Sequence, residues 1–253
     1  MSYSEFLKEL NLEGKVIAAT RVNSSDETVS HVGGCIYRSL KRVLDGEVLV
    51  LDKDSCSCKG FAHNSGLKDE RPMIPGGFGL FISKGSDQMW TPPGERFKCD
   101  PETAEAMFDS LPKNVMDGFD AIRLETYKEG MRADVVTMLV TADQLSAVLV
   151  LHGYNRGEYD NAIATTVSGC ASMLRIPFDQ IKKEKSKAVI TGTDIAQRHF
   201  LDEELLAISV TGADFEYMLS VTDECFFHSP VFKKMRRRIN KEVKQEVRYS
   251  VLA

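Results

Sequence analysis

The 253-residue sequence lacks several of the signals that would assign a function outright. No run of about 18 apolar residues occurs, so no membrane-spanning helix and no membrane partner is expected. The opening stretch, MSYSEFLKELNLEGK, carries no signal-peptide core, and the expected location is cytoplasmic. A basic excess is also missing: the formal net charge is −5, which argues against a general nucleic-acid binder. Neither an internal repeat nor a low-complexity linker is visible. The P-loop pattern, the G-x-G-x-x-G fingerprint and the G-x-S-x-G elbow are all absent, so no nucleotide cofactor is inferred. The five histidines form no H-E-x-x-H or similar cluster.

What is present is an ordinary globular composition, 43% hydrophobic and 27% charged, in a chain long enough to bury a sizeable core. Apolar spacing predicts a helix over Ser4 to Leu12 that stops at Gly14, then a strand over Lys15 to Val22. A helix is expected from Val32 to Leu44 and a strand from Glu47 to Asp52. The Pro- and Gly-rich run RPMIPGGFGLFIS leads into an expected strand at Phe78 to Ile82, and Met89 to Cys99 reads as a loop. Asp100-Pro101-Glu102 opens a helix. Further strands are expected at 120–127, 134–141, 162–167, 187–191 and 205–210. Helices fall over Ala142 to His152, after Cys170, over Ala213 to Val221 and from Pro230 onward. His152 is expected to pack or cap its helix end. Strands and helices without strict alternation predict a single α+β domain with a mixed sheet. Residues 1–29 supply its N-terminal helix and strand, 30–221 its core, and 222–253 a charged C-terminal helix. The basic cluster Lys233 to Arg238 reads as a solvated helix face, which could also pack on a second copy of the chain.

Six cysteines in a chain of this size do not resemble a small disulfide framework. Each is either buried packing or chemistry. Cys56-Ser57-Cys58-Lys59-Gly60 lies just past a strand end. Its C-x-C spacing is not that of a zinc ribbon, but both sulfurs can face one concave site if the loop curls. Gly60 would let a helix begin close to a bound group, whereas His63 is assigned to loop structure. Ser168-Gly169-Cys170 sits at a strand-to-helix junction, where backbone N–H groups would favour a thiolate. Packing of a small residue is an equal reading there. The turn at Thr191-Gly192-Thr193-Asp194, with Arg198 one turn on, could bind an anion or carboxylate.

Read in order, these segments resemble the family called domain of unknown function 169, found mainly in archaea and anaerobic bacteria. The likeness is carried by GGCIYRSLKRVLDGEVLVLDKDSCSCKGFAHNSGL, VVTMLVTADQLSAVLVLHGY, TTVSGCASM and VITGTDIAQR. Cys35, Gly46-Glu47, Cys58 with Gly60, Gly66-Leu67, Asp143-Gln144, Cys170, Gly192 and Arg198 occupy its motif positions. The family's usual Asn-Pro is replaced by Thr141-Ala142, and Cys56, Cys99 and Cys225 have no counterpart. No activity comes with the resemblance; what it implies is a selection among the thiols. Cys35, Cys58 and Cys170, from separate elements, could ligate a [4Fe–4S] cluster with one open iron position, with Cys56 as fourth ligand or redox partner. Gly192 and Arg198 would then hold an anionic group of a small-molecule substrate. Two other readings remain open at this stage. One is a metal-free thiol enzyme or carrier with Cys170 as nucleophile, and the other is a ligand-binding module in which the cysteines only pack.

Overall fold

The computed structural model describes residues 2–74, 76–85 and 94–242. Helix α1 (Tyr3–Leu10) starts at a capping box, in which Ser2 accepts from the Glu5 amide and Glu5 reaches back to the Ser2 amide. It ends earlier than expected. Asn11, in the left-handed region at φ 52°, closes it, because an asparagine tolerates the cap conformation usually given to glycine. Strand β1 (Val16–Val22) follows, then α2 (Ile36–Leu44), β2 (Leu49–Asp52) and the single turn α3 (Phe61–Asn64).

One expected strand is a helix instead: Phe78–Ile82 forms α4, with Gly77 at φ 91° turning the chain into it. The five-residue apolar run carries no period that separates helix from strand, and packing decides. The Gly79 amide donates to Glu105 on α5 (Pro101–Asp109), and a Cβ at Gly79 would overlap that side chain and the Pro101 carbonyl. Then come β3 (Ala121–Thr126), β4 (Val135–Val140), α6 (Ala142–His152) and β5 (Ala162–Ala164), the last shorter than expected. The chain after Cys170 is π-helical over Ala171–Arg175 and continues as α7 (Ile176–Gln180). Strands β6 (Ala188–Thr191) and β7 (Leu206–Thr211), α8 (Gly212–Ser220) and α9 (Pro230–Glu242) complete the order. The expected helix beyond residue 242 and the loop residues 89–93 lie outside the described residues.

The strands form one mixed sheet in the order β2-β3-β1-β4-β7-β6-β5, antiparallel except for the β5–β6 pair. This is a single-domain α+β fold. Strand β1 pairs with both β3 and β4, so the N-terminal segment supplies the middle of the sheet. Alternate side chains divide its two faces. Val16 and Ala18, with Met138, Ile208 and Val210, pack under α1, α6, α8 and α9. Ile17 and Ala19, with Leu49, Leu51, Ile122 and Leu124, pack under α2 and the Cys170 helix. The first face is sealed by long amphipathic helices and by polar ties at their ends. Gln144 completes the Thr141 capping box through its oxygen while its Nε2 donates to the Leu10 and Asn11 carbonyls. His152, buried at the end of α6, faces Asp214 at 3.4 Å. Within the basic cluster of α9, Arg236 pairs with Glu9 on α1 and Arg238 with Asp143 on α6. No helix among the described residues is long and apolar enough to cross a membrane.

Candidate functional site

The opposite face is built from shorter pieces, and it is here that the cysteines meet. Val32 forms an isolated parallel bridge with Cys56, with Val32 N donating to Ser55 O and Ser57 N donating to Val32 O. The Gly34 amide adds a 2.6 Å bond to Ser57 Oγ. The segment entering α2, whose N-cap is Cys35, therefore runs beside the loop that carries Cys56 and Cys58. This pairing across 24 residues has no signature in hydrophobic periodicity, since a single bridge leaves none.

Cys170 arrives on the same face from the opposite edge of the sheet, on the helix that follows β5. Two buried networks fix that helix. In the first, Tyr37 Oη and Ser172 Oγ meet Thr191 Oγ1 at 2.7 and 2.6 Å, and both hydroxyls also lie within reach of the Gly169 carbonyl, at 3.3 and 3.0 Å. The hydroxyl of α2 thus ties Cys35's helix to Cys170's. A Cβ on Gly169 would overlap the Gln197 carboxamide and the Tyr37 ring, so close approach rather than backbone conformation demands glycine there. In the second, Arg175 is 1% exposed and spends its guanidinium on protein groups. Nε donates to Pro112 O at 2.6 Å, Nη1 to His63 O at 2.6 Å, and Nη2 to Asp69 Oδ1 at 2.7 Å. The residues following Cys58 are thereby bolted to the helix following Cys170. His63 is not loop structure: it lies buried on α3, its Nδ1 donating to Asp69 O at 3.1 Å. Burial and the adjoining Arg175 lower its imidazole to about 4.

Cys35, Cys58 and Cys170 all line one cavity of about 490 Å³, well within the range of small-molecule sites. Its opposite wall is apolar: Ile74, Phe78, Phe81, Ile82, Phe97, Met107 and Phe108. Asn64, Glu95, Asp194 and Gln197 supply polar groups. Asp194 is held by the Gly169 and Ala196 amides, so the turn after β6 grips the Ser168-Gly169-Cys170 junction. The buried carboxamide oxygens of Asn64 and Gln197 have no hydrogen-bond partner among the described residues.

Cys35, Cys56 and Cys170 are not primed as free nucleophiles. Burial pushes Cys170 well above the ordinary thiol value, and the neighbouring Cys35, Cys58 and Cys56 push the same way. That reverses the expectation of a favoured thiolate at a helix start: desolvation outweighs the nearby amides. Burial raises Cys35 as well and takes Cys56 to about 12. Among the described residues no three His, Cys, Asp or Glu side chains are grouped to hold a single metal ion.

Of the residues expected from sequence, the three thiols converge while Gly192 and Arg198 stand outside the cavity lining. Arg198 is committed to backbone carbonyls, donating to those of Leu205, Glu203, Asp202 and Gly192, so it braces its own loop. Cys56 packs beside the cluster without lining the cavity. Cys99 is exposed against Asp100, and Cys225 is buried under the other face of the sheet. Sequence reasoning missed Arg175, Glu95 and the phenylalanine wall. An arginine within the apolar run ASMLRIPF was the available signal for the first.

Fold and site together define an α+β protein with a thiol-bearing cavity on one face of a mixed sheet. The sequence profile of domain of unknown function 169, described as uncharacterised ArCR, matches residues 5–221, and the chain belongs to that family. No curated protein and no solved structure gives a significant match.

Proposed function

We propose that Cys35, Cys58 and Cys170 hold an iron–sulfur cluster in the cavity wall, with its open iron position turned towards a small-molecule ligand. The observation that carries this reading is the convergence of three thiols, from three separate elements, on one cavity. Cys58 disfavours ionisation of Cys35, and both disfavour ionisation of Cys170, a repulsion that bound iron would relieve because a coordinated thiol is deprotonated outright. Cluster ligands bind separate irons, so their sulfurs stand further apart than those around one ion. The lack of a single-ion group among the described residues is compatible with this. A cluster would supply Lewis acidity or one electron at a time. The chain's own residues hold the three thiols in register through Tyr37 and Arg175, and they keep water from the apolar wall.

The test is purification and cluster reconstitution without oxygen, followed by iron and sulfide analysis and visible absorption. Cys35→Ser, Cys58→Ser and Cys170→Ser are each expected to lower cluster content, while Cys99→Ser and Cys225→Ser leave it unchanged. A colourless, iron-free protein after reconstitution would leave the second reading, a ligand-binding module without metal, which the apolar wall of the same cavity favours.

A further inference from the structure

The two carboxylates of this cavity, Glu95 and Asp194, stand among the Asn64 and Gln197 carboxamides, the Thr166 and Ser168 hydroxyls and Lys59. Asn64 and Gln197, 6% and 9% exposed, each carry a buried carboxamide oxygen with no partner among the described residues. Leaving a buried acceptor unpaired costs roughly 1–3 kcal/mol, so a donor that reached either oxygen would be favoured. Glu95 and Asp194 both line the cavity, and Asp194 disfavours the charge of Glu95. Burial, with Asp194 adding to it, raises Glu95 to about 7. Lys59 is the one cationic residue of the lining among the described residues, and its side chain is exposed. Arg71 lies behind the wall, over the Phe108 ring, and is paired with Glu105 and Asp109. Arg198, the expected anion holder, is turned to carbonyls. Facing these acceptors are four phenylalanines, Phe78, Phe81, Phe97 and Phe108, whose ring faces attract cations and shed water. A cluster bound by three thiolates would add negative charge to the same space.

We infer that the cavity takes a small apolar molecule carrying a nitrogen head with N–H donors, an amine or amide, and not a carboxylate or phosphate. The apolar body lies on the phenylalanine wall, and the head satisfies the Asn64 and Gln197 oxygens and faces Glu95 and Asp194. This deepens the reading above by naming the ligand class of its cavity, and it needs only the cavity, not the cluster.

The experiment uses one body with four heads: 2-phenylethylamine, 3-phenylpropanamide, 3-phenylpropanol and 3-phenylpropanoate. Their binding to protein purified without oxygen is followed by ligand-observed NMR, with iron and sulfide measured on the same sample. The amine and amide are expected to bind at least about tenfold more tightly than the carboxylate. Glu95→Gln, checked for native circular dichroism, should weaken the amine several-fold and leave the amide unchanged. Equal affinity for all heads, preference for the carboxylate, or no binding of any of the four would overturn the inference. Amine preference in an iron-free sample would keep it and remove the cluster. Carboxylate preference in an iron-loaded sample would do the reverse.

Discussion

The two faces of the one sheet are covered in different ways. Under α1, α6, α8 and α9 the apolar residues form a closed layer, and the polar ties lie at helix ends and on the surface. The other face is covered by α2 and α5, the very short helices α3, α4 and α7 and a π-helical segment, and buried polar groups fasten those pieces together. Long helices bury enough apolar area to hold themselves in place, at roughly 25 cal/mol per Å². Helices of four or five residues cannot, and they need hydrogen-bonded anchors. Their reward is space: the short pieces leave a cavity where longer ones would have filled it. A π-helical turn, often found at functional sites, sits in that same region directly after Cys170.

If anchors hold one face and apolar burial the other, removing an anchor should hurt far more than removing a surface ion pair. The largest effect is expected from Arg175→Ala. It strands the Pro112 carbonyl, takes one donor from the His63 carbonyl and removes the ion-pair partner of Asp69, a loss of about 3 kcal/mol by urea denaturation. A cost under about 1 kcal/mol would mean that the face is held by packing alone.

The next effect depends on pH. The folded imidazole of His63 titrates near 4, against about 6.5 in the unfolded chain. Between those values the unfolded state binds more protons, so stability rises with pH across the window. It is fully present above about 6.5 and lost as pH falls through 4, an amplitude of roughly 3 kcal/mol. His63→Gln should flatten this part of the profile relative to the native protein. Parallel profiles would show that His63 is not held neutral.

Smaller again is Tyr37→Phe, which removes the hydroxyl shared by Thr191 and the Gly169 carbonyl and should cost about 1–2 kcal/mol. It should also lower cluster content, because the tie between the Cys35 and Cys170 helices is gone. On the closed face, Arg236→Ala and Arg238→Ala should each cost under about 1 kcal/mol, the ordinary worth of an exposed pair. A cost near that of Arg175→Ala would erase the contrast between the faces.

The closed face was the legible one. The helices of α1, α6 and α8 and every strand of the sheet follow from apolar spacing, and α6 carries its capping box in plain sequence. On the cavity face the cysteines could be chosen, but not their company. Phe78–Ile82 reads as a strand because five apolar residues have no measurable period, and only packing on α5 makes it a helix. Arg198 looks available in the sequence, yet nearby carbonyls absorb it, and no local pattern announces that. Glu95 lies in a loop where any carboxylate would pass for surface charge, and its burial depends on distant partners. Pairings such as Val32 with Cys56 leave no periodic trace.

The central claim is that the three converging thiols form one ligand set. Its most direct measurement is the iron and acid-labile sulfide content of protein reconstituted without oxygen, native beside Cys35→Ser, Cys58→Ser and Cys170→Ser. The account predicts a coloured native protein with iron and sulfide in equal amounts, and a marked loss in all three variants. Native protein without iron, or three variants that retain it fully, would contradict the account.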